Sequence, residues 1–200
     1  MDGVIETLLR AMVNPGDRVA VATPTFSFYG LAARAQSAEV VLVEREKDYS
    51  VDPGIFLERA GDAKISFLCS PNNPTGTVTP CRVIEEICEG IDGILFLDNA
   101  YVEFSAIDYL PLLADHENLV IGRTMSKAYA LAGARVGYAF APDWILPYYR
   151  RAATPFTLNS VSAQAAIGAL GDRDSMEAYV RHVRRWRERL YRECGVAVAP

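Results

Sequence analysis

Histidine is nearly missing from this chain. His116 and His182 are the two among 200 residues, too few and too far apart for a zinc site or a histidine-centred triad, so no metal centre is expected. Cysteine is sparse too, at Cys69, Cys81, Cys88 and Cys194, with no C-x-x-C pair. That spacing excludes a zinc knuckle or a thioredoxin-type redox pair, and the four thiols read as reduced core residues. No apolar run is long enough to cross a bilayer, and no basic-then-apolar leader, repeat or low-complexity tract is seen. A soluble, cytoplasmic protein without a membrane partner is therefore expected. An excess of positive charge is lacking as well. At a net charge of -5, nucleic acid is not the expected partner, and the arginines at 181–192 read as a solvated face balanced by Glu177, Glu188 and Glu193. Finally, no G-x-G-x-x-G follows an apolar run, which argues against a nicotinamide-dependent oxidoreductase.

Apolar residues make up 50% of the chain, enough for one large domain with a full core and part of a second. Apolar spacing at Val4, Leu8, Leu9 and Met12 predicts a helix with Asp2 as its N-cap. Free amides at such a helix start suit a phosphate. Residues 18–22 and 40–43 read as strands around a helix at 31–36, and the polar stretch 44–53 reads as a connection. Residues 65–69 read as the next strand and 119–121 as a short buried one, while 94–97 is apolar without alternation, as expected for a central parallel strand covered on both faces; 136–140 reads as a further strand. Helices are expected at about 82–89, from 142 onward, at 161–170 and at 175–194.

Chemistry collects just after the apolar runs, where open α/β sheets bind ligands. Thr124, Ser126 and Lys127 follow the run at 119–121, and a turn bearing Gly133 returns Arg135. An amine flanked by hydroxyls and an arginine suits a cofactor with both an aldehyde and a phosphate. Asn72-Asn73-Pro74-Thr75-Gly76 follows the run at 65–69, and Asp98-Asn99-Ala100-Tyr101 follows that at 94–97. A carboxylate at the end of a buried strand is costly unless paired with a cation. Thr23-Pro24-Thr25-Phe26 places an aromatic after the first strand.

These segments together resemble the fold type I pyridoxal-phosphate aminotransferases. Arg123-Thr124-x-Ser126-Lys127-Ala128 and Leu131 to Tyr138 look most like their histidinol-phosphate aminotransferase branch. The resemblance covers essentially the whole chain. It implies a three-layer α/β/α fold with a mostly parallel, mixed, seven-stranded central sheet, the large domain of these transferases. The implied domain order is a cofactor-binding domain at 1–155, linker helices at 156–195 and the start of a small domain at 196–200, as in the middle of a longer protein. The implied cofactor is pyridoxal 5'-phosphate, held through its aldehyde by Lys127. Asp98 would pair with its ring nitrogen, Tyr101 and Asn73 with its phenolic oxygen, and Phe26 would stack on its ring. Thr124, Ser126, Arg135 and the backbone at Asp2 and Gly3 would hold its phosphate. Lys127, Asp98 and Tyr101 are the implied catalytic groups. Asn99 stands where the family pattern has glutamate, which bears on the branch more than on the cofactor. The implied partners are an amino donor and a 2-oxo acid acceptor, here histidinol phosphate and 2-oxoglutarate, with a second copy of the chain in a homodimer. A threonine-phosphate decarboxylase would share all these residues, another class I/II aminotransferase is a further alternative, and a catalytically silent module would keep the fold without the chemistry.

Overall fold

The structure is a computed structural model, and it describes residues 1–195. Its elements run α1 (Asp2–Met12), β1 (Arg18–Thr23), α2 (Phe28–Ala35), β2 (Glu39–Glu44), α3 (Pro53–Ala60), β3 (Ile65–Cys69), α4 (Cys81–Gly90), β4 (Ile94–Asp98), β5 (Leu119–Thr124), β6 (Gly137–Phe140), α5 (Leu146–Ala152), α6 (Ser160–Gly171) and α7 (Arg173–Cys194). The strands form one sheet in the order β2-β1-β3-β4-β5-β6. All neighbours are parallel except β5 and β6, which are antiparallel.

Strand side chains alternate between faces, and this sorts the apolar runs into two cores. On one face Ala20, Leu68, Leu95, Leu97 and Ile121 meet Phe56 of α3 and Ile84 and Ile87 of α4. On the other, Val19, Val21, Ile65, Phe67, Phe96 and Val120 meet Ile5, Leu8 and Leu9 of α1 and Tyr29 of α2. The three-layer α/β/α architecture follows directly. Both β3 and β4 are buried at every position, which is why they are apolar apart from Ser66 and the terminal Asp98.

Several expectations need correction. Six strands form among the described residues, not seven, because only six extended apolar segments occur there; β6 is an edge strand with Phe140 exposed. Asp2 is not the N-cap of α1; Met1 holds that position, and Asp2 lies in the first turn. The polar connection after β2 ends in a helix that the apolar pattern did not reveal. α3 is begun by Asp52, whose Oδ1 accepts the Ile55 N–H at 2.9 Å, with proline at its start. Of the cysteines, Cys69 and Cys88 are buried, but Cys194 is exposed because it closes the solvated helix α7. Residues 196–200, taken as the first strand of a second domain, lie outside the described residues. The arginines of α7 pair as expected, Arg181 with Glu177, Arg189 with Glu193 and Arg187 with Glu188. Among the described residues no helix is long and apolar enough to cross a membrane.

The strand order reverses between β1 and β3, since β2 lies on one side of β1 and β3 on the other. β1 and β3 pair only from Val19↔Ile65 to Val21↔Phe67, so they part before their carboxyl ends. The loops beyond them flank a crevice of the kind that binds ligands in open α/β sheets.

Candidate active site

At this crevice lies a cavity of about 180 Å³ lined by Asp2, Phe26, Asn73, Asp98, Tyr101, Thr124, Ser126, Lys127 and Arg135, together with Met1, Tyr29, Cys69 and Ala100. Every site residue expected from sequence lines it except Gly3. That residue is exposed in α1, where its carbonyl accepts the Thr7 hydroxyl at 2.6 Å. The wall is drawn from the loops after β1, β3, β4 and β5 and from the start of α1, so residues far apart in sequence meet here. A larger cleft of about 710 Å³, between α7 and the Arg123–Tyr138 side of the sheet, contains none of them.

Asp98 forms the floor. It is 3% exposed at the end of β4, where alternation turns it toward the α1/α2 face. Its Oδ2 accepts the Tyr29 hydroxyl at 2.7 Å and its Oδ1 accepts the Ala100 N–H at 2.9 Å. Burial pushes the carboxyl above the ordinary carboxylate range, and the two hydrogen bonds oppose that rise. Tyr29 was not expected from the sequence as a site residue. It is fully buried, stacked on Phe67 at 5.0 Å and edge-on to Phe26 at 5.6 Å, so its hydroxyl is fixed on Asp98.

The raised carboxyl makes stability depend on pH. A carboxyl whose folded pKa lies above its unfolded value holds more protons folded than unfolded. Its stabilising contribution is therefore complete below the unfolded pKa and is lost as pH rises through the folded one. Asp98→Asn keeps the shape without the charge, so the cofactor-free variant is expected to melt a few degrees higher than wild type at neutral pH, the gap closing in acid. A variant that melts lower at neutral pH would show that Asp98 already has a cationic partner in the protein.

The loop after β5 is held by its base. Thr124 faces Gly137 across the β5–β6 pair, Met125 N–H donates to the Val136 carbonyl at 3.1 Å, and Leu131 N–H donates to the Met125 carbonyl at 2.9 Å. The Met125 side chain is fully buried against Val136 and Ala166. With Met125 pointing inward, Ser126 and Lys127 are turned to the cavity. Among the described residues Lys127 Nζ has no hydrogen-bond or ion-pair partner; it lies 5.1 Å from the centre of the Tyr101 ring. Its amine is therefore uncommitted beside the cavity. The stretch after it, helix-friendly in composition, is a turn, because Ala130 takes φ 54°. Arg135 also has a left-handed backbone, at φ 56°, just ahead of β6. It donates to Asp2 Oδ2 at 2.9 Å across the mouth of the cavity. The Thr124 hydroxyl donates to the Val136 carbonyl at 3.3 Å, a long bond that an anionic oxygen would displace.

The cavity thus has an amine at one side, a buried carboxylate below and an arginine with hydroxyls at its rim. The chain matches the family described as Aminotransferase class I and II over residues 1–200. The chain belongs to the class I and II aminotransferases. It is 58% identical over 200 residues to a histidinol-phosphate aminotransferase of Methanoculleus marisnigri, covering 100% of this chain and 57% of that protein. The chain thus spans little more than half the length of the curated relatives it matches. In structure it is similar to the histidinol-phosphate aminotransferase of Sinorhizobium meliloti in complex with pyridoxal-5'-phosphate, with a TM-score of 0.89 at 27% identity over 96% of this chain and 54% of the other. An aspartate aminotransferase of Thermus thermophilus with maleate superposes almost as well, with a TM-score of 0.87 at 26% identity over 99% of this chain and 56% of that one. The shared fold therefore does not select among amino-acid substrates.

Proposed function

We propose that this chain is the pyridoxal-phosphate-binding part of an enzyme that transfers the amino group of histidinol phosphate to 2-oxoglutarate, as in histidine biosynthesis. The observation that carries the cofactor is Asp98, a buried carboxylate on the cavity floor whose hydrogen bonds among the described residues come only from Tyr29 and the Ala100 amide. Such a group favours a cationic partner, and a protonated pyridine nitrogen is one. The substrate reading is supported by the 58% identical relative named for that activity.

Pyridoxal phosphate, when bound, supplies an aldehyde for amines to condense with and a protonated ring that withdraws electrons from the bonds next to that nitrogen. In this reading Asp98 holds the proton on the ring nitrogen, and Tyr29 fixes the carboxylate. Asn73 and Tyr101 donate to the phenolic oxygen, and Phe26 covers one face of the ring. Arg135, Ser126, Thr124 and the backbone at Asp2 would hold the phosphate, with Arg135 exchanging or sharing its contact with Asp2 to do so, while Gly3 lies outside the cavity lining. Lys127 Nζ would hold the aldehyde carbon, and its amine is the group placed to take a proton from the donor's α-carbon.

Residues 1–155 are read as the cofactor domain and 156–195 as linking helices. A cytoplasmic homodimer is the assembly we propose, and the apolar residues Phe156, Val161 and Ile167, exposed by 100%, 78% and 62%, support the homodimer. The deciding experiment supplies purified enzyme with pyridoxal phosphate and follows two reactions. Glutamate formed from histidinol phosphate and 2-oxoglutarate supports the reading; carbon dioxide from threonine phosphate without glutamate formation would replace it with the decarboxylase.

A further inference from the structure

A buried arginine stands behind the crevice without a counter-charge. Arg45 follows β2, its N–H continuing the parallel ladder to the Thr23 carbonyl at 2.7 Å, yet it is only 8% exposed. Its Nη2 donates to the Cys69 carbonyl and to Asn72 Oδ1, both at 3.2 Å, and its Nη1 to the Tyr49 carbonyl at 3.2 Å. Its Nε has no partner, and no ion pair among the described residues includes it. Keeping a guanidinium there is expensive, and burial draws its pKa down. A leucine or methionine would fill such a place at less cost.

What the fork holds is the hinge between the two loops at the switch point. Asn72 Oδ1 also accepts the Thr25 hydroxyl at 2.7 Å, while its Nδ2 donates to the Pro24 carbonyl at 3.0 Å and to Thr75 Oγ1 at 2.8 Å. The Asn72 N–H donates to the Thr77 carbonyl, and the Gly76 N–H to the Asn72 carbonyl, both at 2.8 Å. Asn72 is thus the knot joining the Phe26 loop to the Asn73 turn, just where β1 and β3 have ceased to pair. Arg45 ties that knot to the end of β3.

We infer that Arg45 is a positioning residue: its buried guanidinium fork replaces the missing β1–β3 pairing at the crevice, fixing Asn72 and thereby aiming Asn73 into the cofactor cavity. The inference rests on the proposed function only for what Asn73 touches. The tie itself belongs to the cofactor-free protein, and so does the first arm of the test. In Arg45→Met without cofactor, amide hydrogen exchange at Asn72 and Gly76 should accelerate about tenfold or more while that of Leu8 and Leu9 in α1 stays at the wild-type rate. Arg45→Lys, which keeps the charge but not the fork, should show the same local loosening and serves if the methionine variant does not fold. Unchanged exchange at the turn, or uniform acceleration across the chain, would overturn the inference.

The second arm uses the chain with pyridoxal phosphate and reads the pH midpoint of the visible absorbance. A donor on the phenolic oxygen favours its anion, so Asn73→Ala should raise the midpoint, by roughly half a unit or more. Arg45→Met should raise it in the same direction, and the double variant should go no further than Asn73→Ala alone. Additive shifts would mean that Arg45 acts by its own charge and not through Asn73. A wild-type chain that acquires no absorbance counts against the proposed function, and the exchange arm still decides whether Arg45 holds the turn.

Discussion

Lys127→Ala is expected to lower amino transfer by about 10⁴-fold, the upper range for loss of a positioned acid–base group. The same variant should lose covalent attachment of pyridoxal phosphate. Borohydride reduction of the wild-type protein should fix the cofactor on the peptide containing Lys127 and nowhere else. The expectation comes from the geometry of the loop. Lys127 Nζ stands 5.1 Å from the Tyr101 ring centre and has no polar partner among the described residues, so no ion pair must be broken before it reacts. The hydroxyls nearby, on Ser126 and Tyr101, cannot replace an amine as the covalent anchor for an aldehyde. Label recovered on another lysine, or turnover within tenfold of wild type, would sink the assignment.

Asp98→Asn should act differently. The amide fills the same space between Tyr29 and the Ala100 N–H but carries no charge to hold a proton on the ring nitrogen. The loss should fall on the chemical step, on the order of a thousandfold in kcat with KM little changed, which corresponds to about 4 kcal/mol of transition-state stabilisation. Steady-state kinetics with a saturating amino donor measures this directly. Near-normal kcat would mean that the carboxylate serves only the packing of β4 against α2. The same substitution is expected to raise the melting temperature of the cofactor-free protein, so a damaged fold and a damaged reaction are readily told apart.

Much of the fold was legible because β3, β4 and the first four residues of β5 are buried and their sequences are correspondingly rich in apolar residues. The groups at their carboxyl ends, Asn73, Asp98 and Lys127, could then be placed along one edge, and the cavity lining brings them together. The less legible parts depended on contacts across the sequence or on local backbone choices. Tyr29 reads as one aromatic among several until the fold sets its hydroxyl 2.7 Å from Asp98, 69 positions away. Arg45 reads as a surface residue in a charged stretch, since its acceptors are carbonyl and amide oxygens that no motif announces. Helix α3 was hidden by weak periodicity, although Asp52-Pro53 offered a cap and a helix-starting proline. Asp2 looked like a cap, but it lies inside the helix and faces Arg135, which only the return of the chain from β5 to β6 could reveal.

That return is closed at its base, with Thr124 opposite Gly137 and Met125 plugged beside Val136. Between these ends Tyr129, Leu131 and Ala134 pack beside Met125, Val136 and Ala166 of α6, so the segment is anchored along its length as well as at its base. A change in its length would shift the spacing between Lys127 and Arg135 and disturb that cluster together. The loop thus acts as a ruler between amine and guanidinium, held to its setting by the helix against it.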